Sequence, residues 1–506
     1  MTDREDNEGH KNKEVISTMM RSLYSGISGL SVNQTKMDVI GNNIANVSTV
    51  GFKASRVAFS DIFYQTIQSA TGPNDSTGAA GQNAMQIGLG STVSSIVASP
   101  TKTGGAQRTD NPFDIMINGD SFFIVNQGGT NYFTKAGDFK VDADGTLCTS
   151  SGANVMGWKV DPKDPTKTVA DVVSPLKIMT AENQYSTPVA TTNTYVSGNI
   201  DKQDTQLALT GSGVTRSISF YDKLGEAYTA TFKINHKADT TSTPPTAIDN
   251  QYDVKLVDVL DSQGNSVFVK KTVAADGTVT YAASGLSTFK FGEISAAPSV
   301  DAVTGKVSFT GANVLSFDGA TGKFKGIGTS TSTNKTITLS LGATSATNHF
   351  SEVAVDFSSI TMYAGSGNTT LDSGMGDLNG SGKGRKAGNL TGLSVDTSGK
   401  IYGTYNNGDN RLLGQIAVAS FSNPAGLESK GGNLFAETQN SGKFDGIGHD
   451  VKSDGGSFTT GVLEMSNVDL ASEFTEMITT QRGFQANSRI ITTSDTLLEE
   501  LINLKR

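Results

Sequence analysis

DLASEFTEMITTQRGFQANSRIITTSDTLLEELINL, residues 469–504, carries the spacing that decides the fold. Leu470, Phe474, Met477, Gln481, Phe484, Ser488, Ile491, Asp495, Leu498 and Ile502 recur at intervals of four and three, the seam of a helix that packs in the manner of a coiled coil. Asp469 stands before it as an N-cap. The same spacing opens the chain at Leu23, Ile27, Leu30, Gln34, Met37, Gly41 and Ile44. A lone amphipathic helix is marginal in water, because nucleation is costly and most helical stability comes from packing. The two terminal helices therefore form one wall of an ordinary core, pair with each other, or pair with copies from other molecules. Polar residues in both seams, among them Gln481, Arg482 and Asn487 at one end and Asn42, Asn43 and Asn46 at the other, favour specified partners and register.

Between the helices, residues from about 100 to 460 alternate with period two and are punctuated by turn pairs: Asn118-Gly119, Asp144-Gly145, Asp276-Gly277, Asp318-Gly319 and Asn407-Gly408. Tyr252, Val254 and Leu256 alternate with Asp253 and Lys255, as in a strand with one buried face. The predicted fold is mainly β with terminal α-helices, the helices forming an inner layer and two or more all-β domains inserted between them. The expected divisions are a disordered tail or misassigned start at 1–18, a helical segment at 19–54 and an extended linker at 55–100. A β domain follows in two parts, 101–168 and 363–445, around inserted outer β domains at 169–362. A linker at 446–465 and a helical segment at 466–506 complete the chain.

Composition narrows the function classes. At roughly 150 residues per domain, 506 residues allow about three or four units. A net charge of −9 with no basic block argues against nucleic acid or an anionic membrane surface as the main partner. One cysteine, Cys148, makes no internal disulfide, and four scattered histidines leave little for a metal site. No apolar run approaches the roughly 18 residues of a spanning helix, and residues 1–18 have no apolar centre, so no cleaved signal peptide is expected.

Motifs with chemistry fail on inspection. Gly380-Ser381-Gly382-Lys383-Gly384 has Asp377 where a phosphate loop needs its first glycine and Gly384 where it needs Ser or Thr. Asp142, Asp144 and Gly145 miss the calcium-loop positions and read as a hairpin turn. His449 sits in a Gly/Asp-rich loop, and Cys148 reads as a half-buried strand residue. No catalytic, cofactor or metal residue is assigned, and no enzyme is expected.

Asn42-Asn43-Ile44-Ala45-Asn46-Val47-Ser48-Thr49-Val50-Gly51-Phe52-Lys53 resembles the N-terminal signature of the bacterial flagellar rod and hook axial proteins. Ser466-Asn467-Val468-Asp469-Leu470-Ala471 and Gln481-Arg482-Gly483-Phe484-Gln485-Ala486-Asn487-Ser488 resemble the C-terminal one, and the ending Leu501-Ile502-Asn503-Leu504-Lys505-Arg506 points to the hook branch. Gly414-Gln415-Ile416-Ala417 and Asn423-Pro424-Ala425-Gly426-Leu427 add to the match; the centre, about 170–360, matches in general character only. The resemblance implies an extracellular homopolymer of the flagellar hook, exported without a cleaved signal by the type III apparatus. It implies as partners the hook cap, distal rod and hook–filament junction proteins, with neither nucleic acid nor membrane insertion. The tube would bend while resisting twist and pass torque to the filament. Its assembly interface would be Leu23, Ile27, Leu30, Met37, Ile44, Asn42, Asn43 and Asn46 against Leu470, Phe474, Met477, Gln481, Arg482, Phe484, Asn487, Ile491, Leu498 and Ile502. A distal rod protein of the same family is the alternative, and a secreted β-rich adhesin a more distant one.

Overall fold

The structure, a computed structural model, describes residues 2–73, 78, 80–274, 278–284, 286, 289–328, 333–342 and 349–504; side chains are described from Met20 onward, except at 501 and 504. The expected turn at Asp276-Gly277 lies outside the described residues. The chain divides into two compact units. The first comprises Met1–Asn183, Gly392–Thr404 and Asn410–Arg506, and the second Gln184–Thr391 with Tyr405–Asp409.

In the first unit helix α1 spans Thr2–Ala45 and helix α2 spans Leu470–Leu504. The backbone is helical through 2–18, where a disordered tail was expected; the stretch holds no proline, and its early acidic residues suit a helix N-terminus. Asp469 caps α2 as the sequence predicts, its Oδ1 accepting from Ala471 N at 3.0 Å. The expected linker at 55–100 is two antiparallel ribbons, Ser55–Asp61 with Ser91–Ala98 and Tyr64–Gln68 with Met85–Gly88. They read as linker because almost none of their side chains is buried, so no alternation marks them.

The body of this unit is built on Phe122–Gln127, whose first four residues are fully buried. Phe123 and Val125 enter one apolar cluster and Phe122 and Ile124 another, so a strand covered on both faces reads as a continuous apolar run. It pairs with Thr130–Thr134 on one side and Asn154–Trp158 on the other. The supposed linker at 446–465 supplies two strands, Ser457–Thr460 and Val462–Glu464, paired with Ile115–Asn118 and Ala106–Arg108.

The second unit contains two five-stranded sheets that share one apolar cluster. In one, Asn193–Asp201 lies parallel to Val353–Tyr363 and antiparallel to Thr370–Met375. In the other, Ala227–Asp239 and Thr246–Leu260 run side by side, with Tyr252, Val254 and Leu256 buried as predicted. Phe232 and Phe357, one from each sheet, meet edge to face at 6.1 Å. The boundaries differ from those expected at 169 and 362. Leu176 and Ile178 pack in the first unit's core, which keeps 169–183 there, and the ladders of Asn193–Asp201 draw 353–375 into the second unit.

Candidate assembly interface

Helices α1 and α2 pair along a row that the apolar pattern did not mark. Ser22 Oγ lies 3.5 Å from Ser494 Oγ, Lys36 Nζ is 3.2 Å from Glu476 Oε2, and Asn43 Nδ2 donates to Glu473 Oε1 at 3.1 Å. Between these pairs the backbones come close: a Cβ on Gly26 would meet Ile491, one on Gly29 would stand 2.6 Å from Asn487 Nδ2, and Gly483 faces Asn33. The contact row on α1 is therefore Ser22, Gly26, Gly29, Asn33, Lys36, Ile40 and Asn43. It has the predicted spacing, shifted by one residue from Leu23, Ile27, Leu30, Met37 and Ile44. On α2 the facing row is Glu473, Met477, Thr480, Phe484, Asn487, Ile491, Ser494 and Leu498, so the predicted Met477, Phe484, Ile491 and Leu498 remain in it, while Phe474, Gln481, Ser488 and Asp495 give way to the polar residues just before them. Thr480 and Ser494 are buried there. Burial pushes the Glu473 carboxyl above its ordinary value, against the pull of the Asn43 hydrogen bond.

The remaining predicted residues lie elsewhere. Leu23, Leu30, Met37 and Ile44 are half-buried and Ile27 is exposed. Leu470, Phe474, Gln481, Arg482 and Ile502 are exposed, as are Ile478, one turn beyond Phe474, and Leu497. Asn42 is exposed and accepts from Asn46 Nδ2, closing the end of α1, while Asn43 is buried.

Where both helices enter the body, the signature residues form a hydrogen-bonded collar. Asn43 clamps Ser55 through both its amide N and O, at 2.9 and 3.0 Å. Asn467 accepts from Ala54 N and donates to Ser99 O and Lys102 O. Gly51 N donates to Glu464 O at 2.8 Å with φ +69°, and a Cβ there would lie 2.6 Å from Ala136 N, so only glycine fits. Beneath it lies a buried ion pair: Lys53 Nζ to Glu464 Oε1 at 2.7 Å, the two side chains 1% and 0% exposed. Gly104 N also donates to Glu464 Oε1 and Lys53 Nζ also donates to Lys102 O, while Glu464 Oε2 is buried without a partner among the described residues. Nearby, Lys135 Nζ donates to Gly119 O at 2.7 Å and sits 4.9 Å from the centre of the Phe122 ring. Burial, reinforced by Lys53, lowers its pKa to about 8.

Sequence reasoning missed this pair. Its one signal was Glu464 as the lone charge in Val462-Leu463-Glu464-Met465, which period-two reading takes as the exposed face of a strand.

Ser121, His449 and Asp454 are not ordered as a serine nucleophile requires. Ser121 Oγ and His449 Nε2 both contact Asp454 Oδ2, at 2.9 and 2.5 Å. The carboxylate stands in the middle, whereas activation of a serine requires the imidazole there. Asp142 closes its hairpin by accepting from Thr146 N, and Cys148 is half-buried with its thiol pushed up by burial and Asp142.

Comparison with known proteins follows the same lines. The flagella basal body rod protein model matches residues 23–53, the flagellar hook protein FlgE/F/G D1 domain 116–197, and the flagellar basal body rod FlgEFG C-terminal model 459–504. The flagellar hook protein FlgE of Borreliella burgdorferi is 36% identical, that of Treponema pallidum 33% and that of Salmonella typhimurium 29%, each aligned over 96% of this chain and 100% of the relative. A solved chain, the Helicobacter pylori hook protein FlgE2, covers 71% of this chain and 100% of its own at 14% identity and a TM-score of 0.39. With both terminal segments and nearly its whole length matched, the chain belongs to the flagellar hook protein FlgE family.

Proposed function

We propose that the chain assembles with copies of itself through the outward surface of its terminal helices, as the structural subunit of a flagellar hook. The observation that carries this is that α2 leaves Phe474 and Ile478, outside the row that meets α1, about half exposed, at 50% and 53%. Burying the open half of such a side chain contributes about 1 kcal/mol, so the adjacent Phe474 and Ile478 are worth on the order of 2 kcal/mol per subunit on assembly. The predicted residues Leu23, Ile27, Leu30, Met37 and Ile44 of α1 join this surface in the same proposal. Outer faces rich in Ser, Thr, Asn and Gly would make weak, wet contacts that slide as the tube curves, while the helical layer resists twist. Export through the flagellar type III apparatus without a cleaved signal, and contact with hook cap, distal rod and junction proteins, belong to this reading.

The test is the double variant Phe474→Asp/Ile478→Asp. Both sites are exposed, so the subunit should keep its circular dichroism and thermal midpoint yet form no tubes by negative-stain microscopy. Normal tubes from that variant would remove the outward row from the interface. Curved tubes from the wild type favour the hook over the rod reading, which requires straight ones.

A further inference from the structure

The glycine run Gly380-Ser381-Gly382-Lys383-Gly384, which fails the phosphate-loop template, borders a concave site of about 650 Å³ within the second unit. Lys383, Arg385 and Lys386 line it together with Tyr221 and Asn406, and no carboxylate does. Three cations in four residues are unexpected on a chain of net charge −9, and their mutual repulsion is relieved by no ion pair to Lys383 or Lys386 among the described residues. Arg385 alone is paired, Nη1 to Asp409 Oδ1 at 2.9 Å, and Ser186 Oγ in turn donates to Asp409 Oδ2 at 2.5 Å. The guanidinium is thus fixed from one side, and its Nε is buried with no acceptor among the described residues.

The backbone is arranged to the same effect. Ser381 N is taken by Asp377 and Arg385 N by Val189, but the N–H groups of Lys383 and Gly384 between them have no acceptor among the described residues. Asn407 braces the rim, donating to Lys386 O at 2.8 Å and accepting from Asp409 N at 3.0 Å, while Asn406 accepts from Asn389 N at its Oδ1 and its side-chain Nδ2 has no acceptor among the described residues. Point charges, a guanidinium edge and unspent backbone donors around one concavity are the elements that hold a tetrahedral oxyanion.

We propose that this pocket binds a phosphate- or sulfate-class oxyanion, with Lys383 and Lys386 supplying the charge, Arg385 a directed donor, and Asn406 and Tyr221 selecting for the polar groups beside it. The ligand can be a diffusible ion or the anionic headgroup of a lipid, since both present the same oxygens.

Isothermal titration calorimetry of the full chain with inorganic phosphate at fixed ionic strength tests it. One saturable site is expected, weakened about tenfold in Lys383→Ala/Lys386→Ala with unchanged thermal midpoint, both sites being exposed. A parallel arm measures sedimentation with vesicles of phosphatidylglycerol in phosphatidylcholine. Retention of the wild type and its loss in the variant assigns the oxyanion to a lipid; phosphate binding without retention assigns it to a free ion. No saturable uptake in either arm, or equal binding by the variant, overturns the site.

Discussion

Breaking the Lys53–Glu464 pair should be the most damaging small change in the first unit, and breaking both halves at once should be mild. At 2.7 Å and an effective dielectric near 20, the mutual attraction is about 6 kcal/mol, most of which offsets the desolvation of two charges that are 1% and 0% exposed. Glu464→Ala leaves the Lys53 ammonium buried with Lys102 O as its remaining acceptor, a cost of about 3–5 kcal/mol, and strips Gly104 N of its acceptor for about 1 more. Lys53→Met leaves a buried carboxylate with one oxygen already unpartnered, at a similar cost of about 3–5 kcal/mol. Lys53→Met/Glu464→Leu removes both charges and should lie within about 2 kcal/mol of wild type. The chain has a single tryptophan, Trp158, buried in the same unit and donating to Asp171 O and Ile447 O, so its fluorescence during guanidinium unfolding reports this unit alone. The double-mutant cycle should give a coupling of at least about 5 kcal/mol, the excess of the two single losses over the double one. Single variants each costing under about 1 kcal/mol would mean that the pair is solvated and that the collar rests on its hydrogen bonds.

Three further outcomes follow from the collar. Gly51→Ala forces a Cβ against Ala136 N at positive φ and should cost at least about 2 kcal/mol in the same unfolding assay, with Gly432→Ala, which meets open space, as a control for the strain of positive φ alone. Asn43→Ala removes hydrogen bonds to Ser55 and Glu473 and should cost about 2–3 kcal/mol; a loss below 0.5, roughly the floor for one hydrogen bond, would show that water replaces them. Lys135, whose pKa falls from 10.5 to about 8, binds its proton less well folded than unfolded, so its burden on stability is full below pH 8 and is relieved as pH rises toward 10.5. Denaturation of wild type should therefore gain stability relative to Lys135→Met between about pH 7 and about pH 9.5, and a constant difference would contradict the burial of its charge.

The β character, the two terminal helices, the Asp469 cap and the buried face of Tyr252, Val254 and Leu256 were legible because each follows from a local period or a local hydrogen bond. The phase of the helix pair was not. A reading of apolar positions finds the surface that something will cover, and on α1 that surface begins at Leu23, one residue beyond the row that meets α2. Gly26, Gly29 and Asn33 carry no hydrophobic signal, although close backbone approach is what brings the two helices together there. The ion pair was hidden for a related reason: Lys53 and Glu464 are 411 residues apart, and nothing local distinguishes a buried charge from a solvated one.

The composition of the inner row explains why the outer one matters. On α1 the row is Ser22, Gly26, Gly29, Asn33 and Lys36 before Ile40, so Met477, Phe484, Ile491 and Leu498 of α2 meet mostly small or polar partners, and the polar contacts fix which residues meet. Had the predicted apolar rows faced each other, the helices would have closed into a stable hairpin with nothing left for a neighbour. Shifting the α1 row by one residue brings the pair together within one chain but leaves part of its stabilisation to be gained from another. On the proposed reading, amide protons of α1 and α2 exchange quickly in the dilute subunit and slowly in the tube, while those of Phe122–Gln127 are protected in both. Equal protection of the helices in the two states would mean that the polar row suffices alone, and the outward apolar surface would then need a different occupant.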